Sequence, residues 1–390
     1  MSHRTGLEVS HAAAEAVKLA HVDVVAAYPI TPNTHVPERI AEMVANGELD
    51  AEFIPVESEH SAMSACVGSS ATGARTFTAT SGQGLELMHE VLTVASSMRL
   101  PIVLSLANRA LSSPLSVWGD HSDVMAIRDC GWIQIFAENG QQTFDLLLWA
   151  FRVGEDPRVS FPVIVNFDGF HVTHVIEPVF IADQEEVDRY LPPFKPNAVL
   201  DPRRPVTMGA YGPPFIYSET KKAQDFALHQ SKEVMLQGFA EFEKIFGRKY
   251  NFVETYKAEG AKVLLMVIGS FAETAMDLVD KLREKGEAVG LVRIRLWRPF
   301  PQEELRQAVR GAETLIVLDR AMSFGTLAPV VSEVRAALYP EEKRPQIVSF
   351  VGGLGGRDIR LEEFEYMVKR GSELAQKGGQ KDLYETIGIR

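Results

Sequence analysis

The stretch from residue 51 to residue 106 constrains the fold of this chain more than any other. Apolar segments alternate there with helical patterns, at 51–56, 61–72, 75–80, 85–98 and 101–106. This alternation predicts the strand and helix order of a parallel α/β sheet. Glu59 follows the first of these strands and enters the first turn of a helix made of small residues. It therefore lies where such sheets place their chemistry, at the carboxyl end of a strand.

Polar motifs follow several other predicted strands in the first half of the chain. They are Tyr28-Pro29-Ile30-Thr31-Pro32, Ser81-Gly82-Gln83-Gly84, Asn108-Arg109-Ala110 and Asp168-Gly169-Phe170-His171. If the strands are parallel, all of these motifs gather on one edge of one sheet, which is where open α/β folds bind ligands.

A second α/β unit is predicted near the carboxyl end, with strands at 262–268, 289–296, 314–318 and 346–351. A proline-rich connection and a helix over 217–246 separate it from the first unit. We predict a first domain over 1–175, a connecting region over 176–258 and a second domain over 259–390. No G-x-G-x-x-G motif opens the first helix of the second unit, which argues against a dinucleotide site. The run Gly352–Gly356 is predicted to be either a plain turn or, less favoured, a phosphate cradle.

The composition limits the classes of function. With a net charge of −12 and a pI near 5.4, the chain lacks the basic surface that duplex nucleic acid requires. No apolar stretch has the length of a membrane span or an export signal, so a cytoplasmic location is expected. Cys66 and Cys130 are too few for an iron–sulfur cluster, which needs about four thiolates. We predict both to be small buried side chains.

The motifs together resemble those of the pyruvate:ferredoxin oxidoreductases. Besides the motifs above, the resemblance includes Ser58-Glu59-His60-Ser61-Ala62, Thr76 to Leu85 and Gly119-Asp120-His121-Ser122-Asp123, in the family's order. It covers nearly the whole chain and is strongest to the α subunit of the multi-subunit enzymes. It implies a domain that holds the pyrimidine end of thiamine diphosphate, followed by a transketolase-C-terminal-like domain.

The same resemblance implies that other parts of the enzyme lie on other chains. A β subunit would carry the diphosphate and Mg²⁺ site with an iron–sulfur cluster, and γ- and δ-type subunits would complete the complex. Coenzyme A would be a co-substrate, and ferredoxin would accept the electrons. The count of two cysteines agrees with this division.

The resemblance also assigns the site residues. Glu59 matches the family glutamate that hydrogen-bonds the pyrimidine ring and promotes formation of the nucleophile. Thr31 and Arg109 match the substrate pocket, where an arginine fork suits a carboxylate and a hydroxyl suits a keto oxygen. Tyr28, Pro29, Ile30 and Gln83 are predicted to contact the cofactor.

Other polar residues receive lesser roles. The cluster Asp120, His121 and Asp123 is predicted to line the active site rather than to bind a metal. His171 and His174 are predicted to be structural or surface residues.

We expect oxidative decarboxylation of pyruvate with coenzyme A, in a reversible reaction. Oxalate, 2-oxoisovalerate and 2-oxoglutarate are alternative substrates. An electron-transfer flavoprotein-like module is the alternative from another class, although the dinucleotide fingerprint that it needs is missing.

Overall fold

The structure, a computed structural model, describes residues 3–389. Its first half alternates short strands with helices. The strands are β1 (His3–Glu8), β2 (Val24–Ala27), β3 (Glu52–Pro55), β4 (Thr76–Thr80), β5 (Val103–Asn108), β6 (Ile133–Phe136), β7 (Val163–Asp168) and β8 (Ile176–Ile181). The helices are α1 (Val9–Leu19), α2 (His35–Ala45), α3 (Glu59–Ala71), α4 (Gly82–Ser97), α5 (Ser122–Ala126), α6 (Gly140–Gly154), α7 (Gln184–Tyr190) and α8 (Pro214–Phe246).

The second half repeats the alternation. Its strands are β9 (Val253–Tyr256), β10 (Val263–Ile268), β11 (Val289–Ile294), β12 (Leu296–Arg298), β13 (Thr314–Asp319), β14 (Gln346–Val351) and β15 (Glu385–Thr386). Its helices are α9 (Phe271–Glu284), α10 (Gln302–Ala308), α11 (Pro329–Leu338) and α12 (Leu361–Gln376).

A seven-stranded sheet in the order β12-β6-β7-β5-β4-β2-β3 forms the first unit. Its strands are parallel except β12, which pairs antiparallel with β6. Strands β5 and β7 are buried along their whole length, as expected of strands covered on both faces by helices. The carboxyl ends of β2, β4, β5 and β7 therefore open onto one edge, which confirms the predicted gathering of motifs.

The second unit is a six-stranded sheet in the order β15-β14-β13-β10-β11-β9, with β9 antiparallel to β11. Two strands lie outside the predicted division of the chain. Strand β9 precedes the predicted boundary at 259, and β12 leaves the second unit to extend the first sheet. A segment from the second half of the chain therefore completes the sheet of the first unit. The exact limits of the domains remain a prediction.

The predicted connection at 177–214 contains more regular structure than expected. Strand β8 lies in it and pairs antiparallel with β1, with Pro178 opposite Gly6. Helix α7 follows. A proline within an apolar run weakens the sequence signal for a strand, which explains why β8 was not predicted.

The buried side chains of the long helix α8 lie in its second half. Met235, Phe239 and Phe242 are buried, and the Phe239 ring stacks on Trp149 at 4.7 Å. In the first half, by contrast, Phe226 is 64% exposed. Among the helices of residues 3–389, none combines the length and the apolar character that crossing a membrane requires.

Candidate active site

Glu59 is the first residue of α3 and lies at the carboxyl edge of the first sheet. Ser58 precedes it in extended conformation and accepts a hydrogen bond from the backbone N–H of Ser61, at 3.2 Å, which starts the helix. The Glu59 side chain is buried, with 6% exposure. Its carboxyl group therefore lies inside the protein at the positive end of a helix dipole.

Gly84 makes room for the Glu59 carboxyl group. A Cβ atom at this position would lie 2.5 Å from Glu59 Oε1 and 2.6 Å from Thr80 Oγ1. Gly84 belongs to the first turn of α4, which begins at Gly82 with φ +46°, whereas the sequence predicted a turn there and a helix from Leu85. Gly82 and Gly84 in the first turn weaken the sequence signal for a helix. Gly84 is nevertheless required, because a larger residue would collide with the Glu59 carboxyl group.

Several buried polar atoms at this edge have no hydrogen-bond partner. Within residues 3–389, four of these atoms lie at this edge: Asn33 Oδ1, Thr80 Oγ1, Ser81 Oγ and Gln83 Oε1. The Glu59 carboxyl group and Thr80 Oγ1 both approach the same point beside Gly84. Because buried polar groups are nearly always hydrogen-bonded in native proteins, such a group of atoms indicates the position of a polar ligand.

Arg109 follows β5 and holds the Thr31 turn. Its Nη1 donates to the carbonyl oxygen of Thr31 at 3.0 Å, and its Nε donates to that of Ser116 at 2.9 Å. Its Nη2 makes no hydrogen bond within residues 3–389. Thr31 is exposed, and its hydroxyl group also makes no hydrogen bond within these residues. Burial lowers the pKa of Arg109, although the charges of Asp123 and Glu59 oppose this shift. The structure thus brings together the two residues predicted to bind substrate.

Asp123 supports both Arg109 and the start of α4. Its Oδ2 accepts from the backbone N–H of Arg109 at 2.9 Å and of Gly82 at 3.1 Å. Its Oδ1 accepts from the side chain of Asn108 and from the N–H of Val124. Burial raises the pKa of Asp123 to about 7, despite these hydrogen bonds. The sequence prediction placed Asp123 in the site lining, whereas it lies fully buried behind Arg109.

The neighbouring loop residues join the two units instead of lining the site. Asp168 Oδ1 accepts from Arg320 Nη1 and pairs with His121 Nε2 at 3.1 Å. Asp168 Oδ2 accepts from the backbone N–H and the hydroxyl of Ser270, at 2.9 and 2.6 Å. Burial opposes ionisation, but the charges of Arg320 and His121 hold the pKa of Asp168 well below its usual value. The predicted lining role of His121 is therefore wrong, since its ring is 1% exposed and faces the second unit.

The turn Gly352–Gly356 also packs against this loop. Gly355 N–H donates to Asp120 Oδ2 at 3.0 Å, and Gly356 N–H donates to the Gly119 carbonyl at 2.7 Å. A Cβ at Gly356 would lie 2.5 Å from the Cβ of Trp118. These two N–H groups are therefore not available to an anion, and the turn serves close packing.

The remaining predicted residues lie at the sheet edge or in the core. Tyr28 and Pro29 are exposed and Ile30 is half-buried, in the loop after β2. Cys66 and Cys130 are buried and unpaired, as predicted, and burial raises the pKa of each thiol to about 12. A thiol with such a pKa is protonated at neutral pH and is not a ready metal ligand.

Two family models match the chain. One, described as pyruvate flavodoxin/ferredoxin oxidoreductase, thiamine diphosphate-binding, matches residues 15–239, and another, pyruvate:ferredoxin oxidoreductase core domain II, matches residues 261–364. The first match contains Glu59, Arg109 and Asp123. The fold and the matched edge thus define a thiamine-diphosphate-binding type of α/β chain, which confirms the predicted fold class.

Relatives and solved structures agree with these matches. A pyruvate synthase subunit PorA of Pyrococcus abyssi is 47% identical over 100% of this chain and 99% of its own length. The corresponding subunit of Thermotoga maritima is 47% identical over 99% and 98%. A ketoisovalerate oxidoreductase subunit VorA of Pyrococcus horikoshii is 43% identical over 95% and 94%. The chain therefore belongs to the pyruvate flavodoxin/ferredoxin oxidoreductase family, and the predicted resemblance is confirmed.

Two solved structures share the fold. The 2-oxoglutarate:ferredoxin oxidoreductase of Magnetococcus marinus, bound to 2-oxoglutarate, coenzyme A and succinyl-CoA, has a TM-score of 0.68 and 20% identity. The match covers 95% of this chain and 65% of that longer chain. A split-gene transketolase, as an inactive β4 tetramer, has a TM-score of 0.55 and 13% identity, with 95% and 100% covered.

Proposed function

We propose that this chain is the α subunit of a pyruvate:ferredoxin oxidoreductase. The complex would convert pyruvate and coenzyme A to acetyl-CoA and CO₂ and pass electrons to ferredoxin, in a reversible reaction. The observation that carries this proposal is the Glu59 carboxyl group, which is buried against Gly84 next to polar atoms that have no hydrogen-bond partner within residues 3–389. The names of the full-length relatives support the substrate and the subunit role.

The residues at this edge fit the pyrimidine end of thiamine diphosphate. A flat ring with nitrogen atoms on its edge matches the buried Glu59 carboxyl group and the unpartnered oxygens of Gln83 and Ser81. The exposed loop Tyr28–Ile30 lies at the same edge. When bound, the cofactor supplies the carbon nucleophile for the keto group of a 2-oxo acid.

Glu59 would hold a proton at the ring nitrogen that its carboxyl group faces. A carboxyl group that faces a ring nitrogen can act there as a general acid–base group.

Arg109 and Thr31 would bind the substrate. The free Nη2 of Arg109 suits a carboxylate, while Nη1 is already engaged in fixing the Thr31 turn. The free hydroxyl of Thr31 suits the keto oxygen, which gains negative charge during addition. Fixing both groups in one arrangement lowers the entropic cost of orienting the substrate.

The missing parts of the active site would come from partner subunits. Both thiols of this chain are buried and protonated, so they do not hold a cluster. The proposal therefore assigns the iron–sulfur clusters, with the Mg²⁺ and diphosphate site, to β-, γ- and δ-type subunits.

Substrate charge gives the test. A monoanion needs one cation, which Arg109 supplies, whereas a dianion would place its second carboxylate near the neutral Thr31, at a desolvation cost of several kcal/mol. We expect the intact complex, assayed with a viologen acceptor, to prefer pyruvate over oxalate and 2-oxoglutarate by at least about 10²-fold in kcat/KM, or roughly 2.7 kcal/mol. A preference for either dianion would contradict the charge count. 2-Oxoisovalerate is also a monoanion, so the charge count does not distinguish it from pyruvate. Assaying it as well shows whether the complex behaves as the pyruvate synthase relatives or as the ketoisovalerate oxidoreductase relative is named.

Arg109→Lys provides the matched variant, because it keeps the charge and removes the fork. Loss of a charge-assisted hydrogen bond of roughly 1.5–3 kcal/mol predicts a fall in kcat/KM for pyruvate of about 10- to 100-fold. Arg128→Lys, on a partly exposed side chain away from this edge, is the control and should leave kcat/KM unchanged.

A further inference from the structure

Three potential metal ligands converge beside the Thr31 turn from three separate segments. Glu8 ends β1, His35 begins α2 and His174 lies in the turn that follows β7. One ligand atom from each, a carboxylate oxygen and two imidazole nitrogens, lies within 4.8 Å of the others. Within residues 3–389 this is the one group of three histidine, cysteine or acidic residues that meets this spacing.

The arrangement has the features of a half-buried site with access to solvent. The side chains of His35 and Glu8 are 39% and 21% exposed, and His35 Nδ1 lies 2.6 Å from Glu8 Oε1. The rings of His35 and His174 have their centroids 4.8 Å apart, and the ring of His174 also packs on Phe170 at 4.7 Å. The two imidazoles therefore share one small space with a carboxylate.

His174 is held in the way that metal-binding histidines usually are. Its Nδ1 lies 2.6 Å from the hydroxyl oxygen of buried Thr173, and that oxygen also accepts from the backbone N–H of Phe170. A hydrogen bond at one ring nitrogen fixes the ring and directs the other nitrogen to a metal.

Only small movements separate this arrangement from a coordinated one. Bonds of about 2.0–2.2 Å to a tetrahedral ion place ligand atoms about 3.4 Å apart. Side-chain rotations at the protein surface can bring the more distant atoms closer, while His35 Nδ1 and Glu8 Oε1 move apart from 2.6 Å so that the ion replaces their hydrogen bond. Two imidazoles and one carboxylate suit zinc, cobalt and nickel rather than calcium or magnesium, which prefer oxygen ligands.

We propose that Glu8, His35 and His174 bind a divalent cation of the zinc class, with a fourth position open to water. The ion would tie the β1 end and the turn after β7 to the first residue of α2. Helix α2 begins four residues after Thr31, so the ion would brace the segment that presents this side chain. This inference does not depend on the proposed reaction, because its readout is metal binding.

The test uses the complete complex, stripped of loosely bound metal with a chelator. Zinc uptake is measured by calorimetry and by counting zinc per α chain. The variants are Glu8→Gln, His35→Gln, His174→Gln and the double variant of both histidines, with His171→Gln as the matched control. His171 neighbours the cluster in sequence but packs its ring on Phe271 at 5.5 Å.

We expect one zinc ion per wild-type chain, affinity at least tenfold weaker in each single variant, and no specific uptake in the double variant. The control should bind as the wild type does. Unfolding temperatures measured without metal show whether each variant is folded, and zinc should raise that temperature only where the site is intact. Zinc uptake by the double variant equal to that of the wild type, or no uptake by the wild type, would overturn the proposal.

Discussion

Two polar clusters lie at the carboxyl edge of the same sheet, and they differ in whether their buried polar atoms are hydrogen-bonded. Around Glu59, buried oxygens of Thr80, Ser81 and Gln83 lack partners within residues 3–389, and Gly84 leaves room for the Glu59 carboxyl group. Around Asp168, a single carboxylate takes four hydrogen bonds from His121, Arg320 and Ser270. Both clusters follow parallel strands, so position alone does not separate them.

The difference shows how a binding cluster is distinguished from a structural one. A buried polar group without a partner carries an energetic cost that a ligand can remove. A buried carboxylate whose hydrogen bonds are all made gains nothing from a ligand and serves to hold elements together. By this criterion the Glu59 edge has the features of the binding site that we propose, and the Asp168 edge serves the contact between the two units.

The largest expected effect is on turnover when Glu59 is changed. Glu59→Gln keeps the size of the side chain but removes the proton that it would exchange, so we expect kcat to fall about 10²- to 10⁴-fold. The unfolding temperature should stay close to that of the wild type, because an amide of the same size fills the space beside Gly84.

Glu57→Gln is the matched control for this variant. Glu57 is two residues away, exposed, and accepts a hydrogen bond from the Ser61 hydroxyl at 2.5 Å. It should retain wild-type turnover. If Glu59→Gln also retained wild-type turnover, Glu59 would be an ordinary buried first-turn carboxylate. Unpartnered buried atoms would then not distinguish the binding cluster from the structural one.

The second effect is on stability when Asp168 is changed. Asp168→Asn leaves Arg320, which is 2% exposed, without its buried counter-charge. Breaking a buried pair in this way costs about 3–5 kcal/mol. We therefore expect a clear loss of stability in denaturant and thermal unfolding, with little change in KM for the molecules that remain folded.

Asp129→Asn is the control, since Asp129 is 79% exposed and lies 3.5 Å from Arg298. It should unfold as the wild type does. A loss of substrate affinity without a loss of stability in Asp168→Asn would mean that Asp168 belongs to the binding cluster after all.

Much of the fold was predictable because its signals are local. The buried strands β5 and β7 are continuous apolar runs, and α3 begins after a capping serine. Strand β12 was not predictable, because it leaves its own unit to pair with β6, and no local pattern encodes such an exchange.

The sequence predicted which residues lie close together at the sheet edge, whereas their roles in binding and catalysis stay predictions. The motifs indicated Glu59, Arg109 and Thr31, and the structure brings Arg109 and Thr31 into contact. The loop Gly119–Asp123 was placed in the lining, because sequence does not show which way a side chain points. His121 faces the second unit and Asp123 faces the backbone of Arg109, which only tertiary contacts determine.

The smallest expected effect is a change in pH dependence, and it concerns Asp123, which lies between the two clusters. Its carboxyl group accepts hydrogen bonds from the N–H groups of Arg109 and Gly82, and these bonds are stronger while it is ionised. Because burial raises its pKa to about 7, lowering the pH from 8 to 6 protonates it and loosens both groups.

We expect kcat/KM of the wild type to fall by up to about tenfold over this range, as the ionised fraction falls. The contribution of Asp123 to stability runs in the opposite direction. Its folded pKa of about 7 exceeds the value of 3.8 for an unperturbed group, so the folded state binds the proton more tightly than the unfolded state. This contribution is fully present below about pH 4 and is lost as the pH rises through about 7.

The measurement compares pH–rate profiles and unfolding temperatures of the wild type, Asp123→Asn and a control, Asp156→Asn. Asp156 has a pKa lowered to about 2 by its hydrogen bond with Arg158, so it does not titrate between pH 5 and 8. Asp123→Asn should be less active at pH 8 and should lose both pH-dependent trends, whereas Asp156→Asn should keep them. If the wild-type and Asp123→Asn profiles had the same shape, Asp123 would not be the group that titrates. Asp123 would then belong with Asp168, as a carboxylate that holds structure and stays ionised throughout.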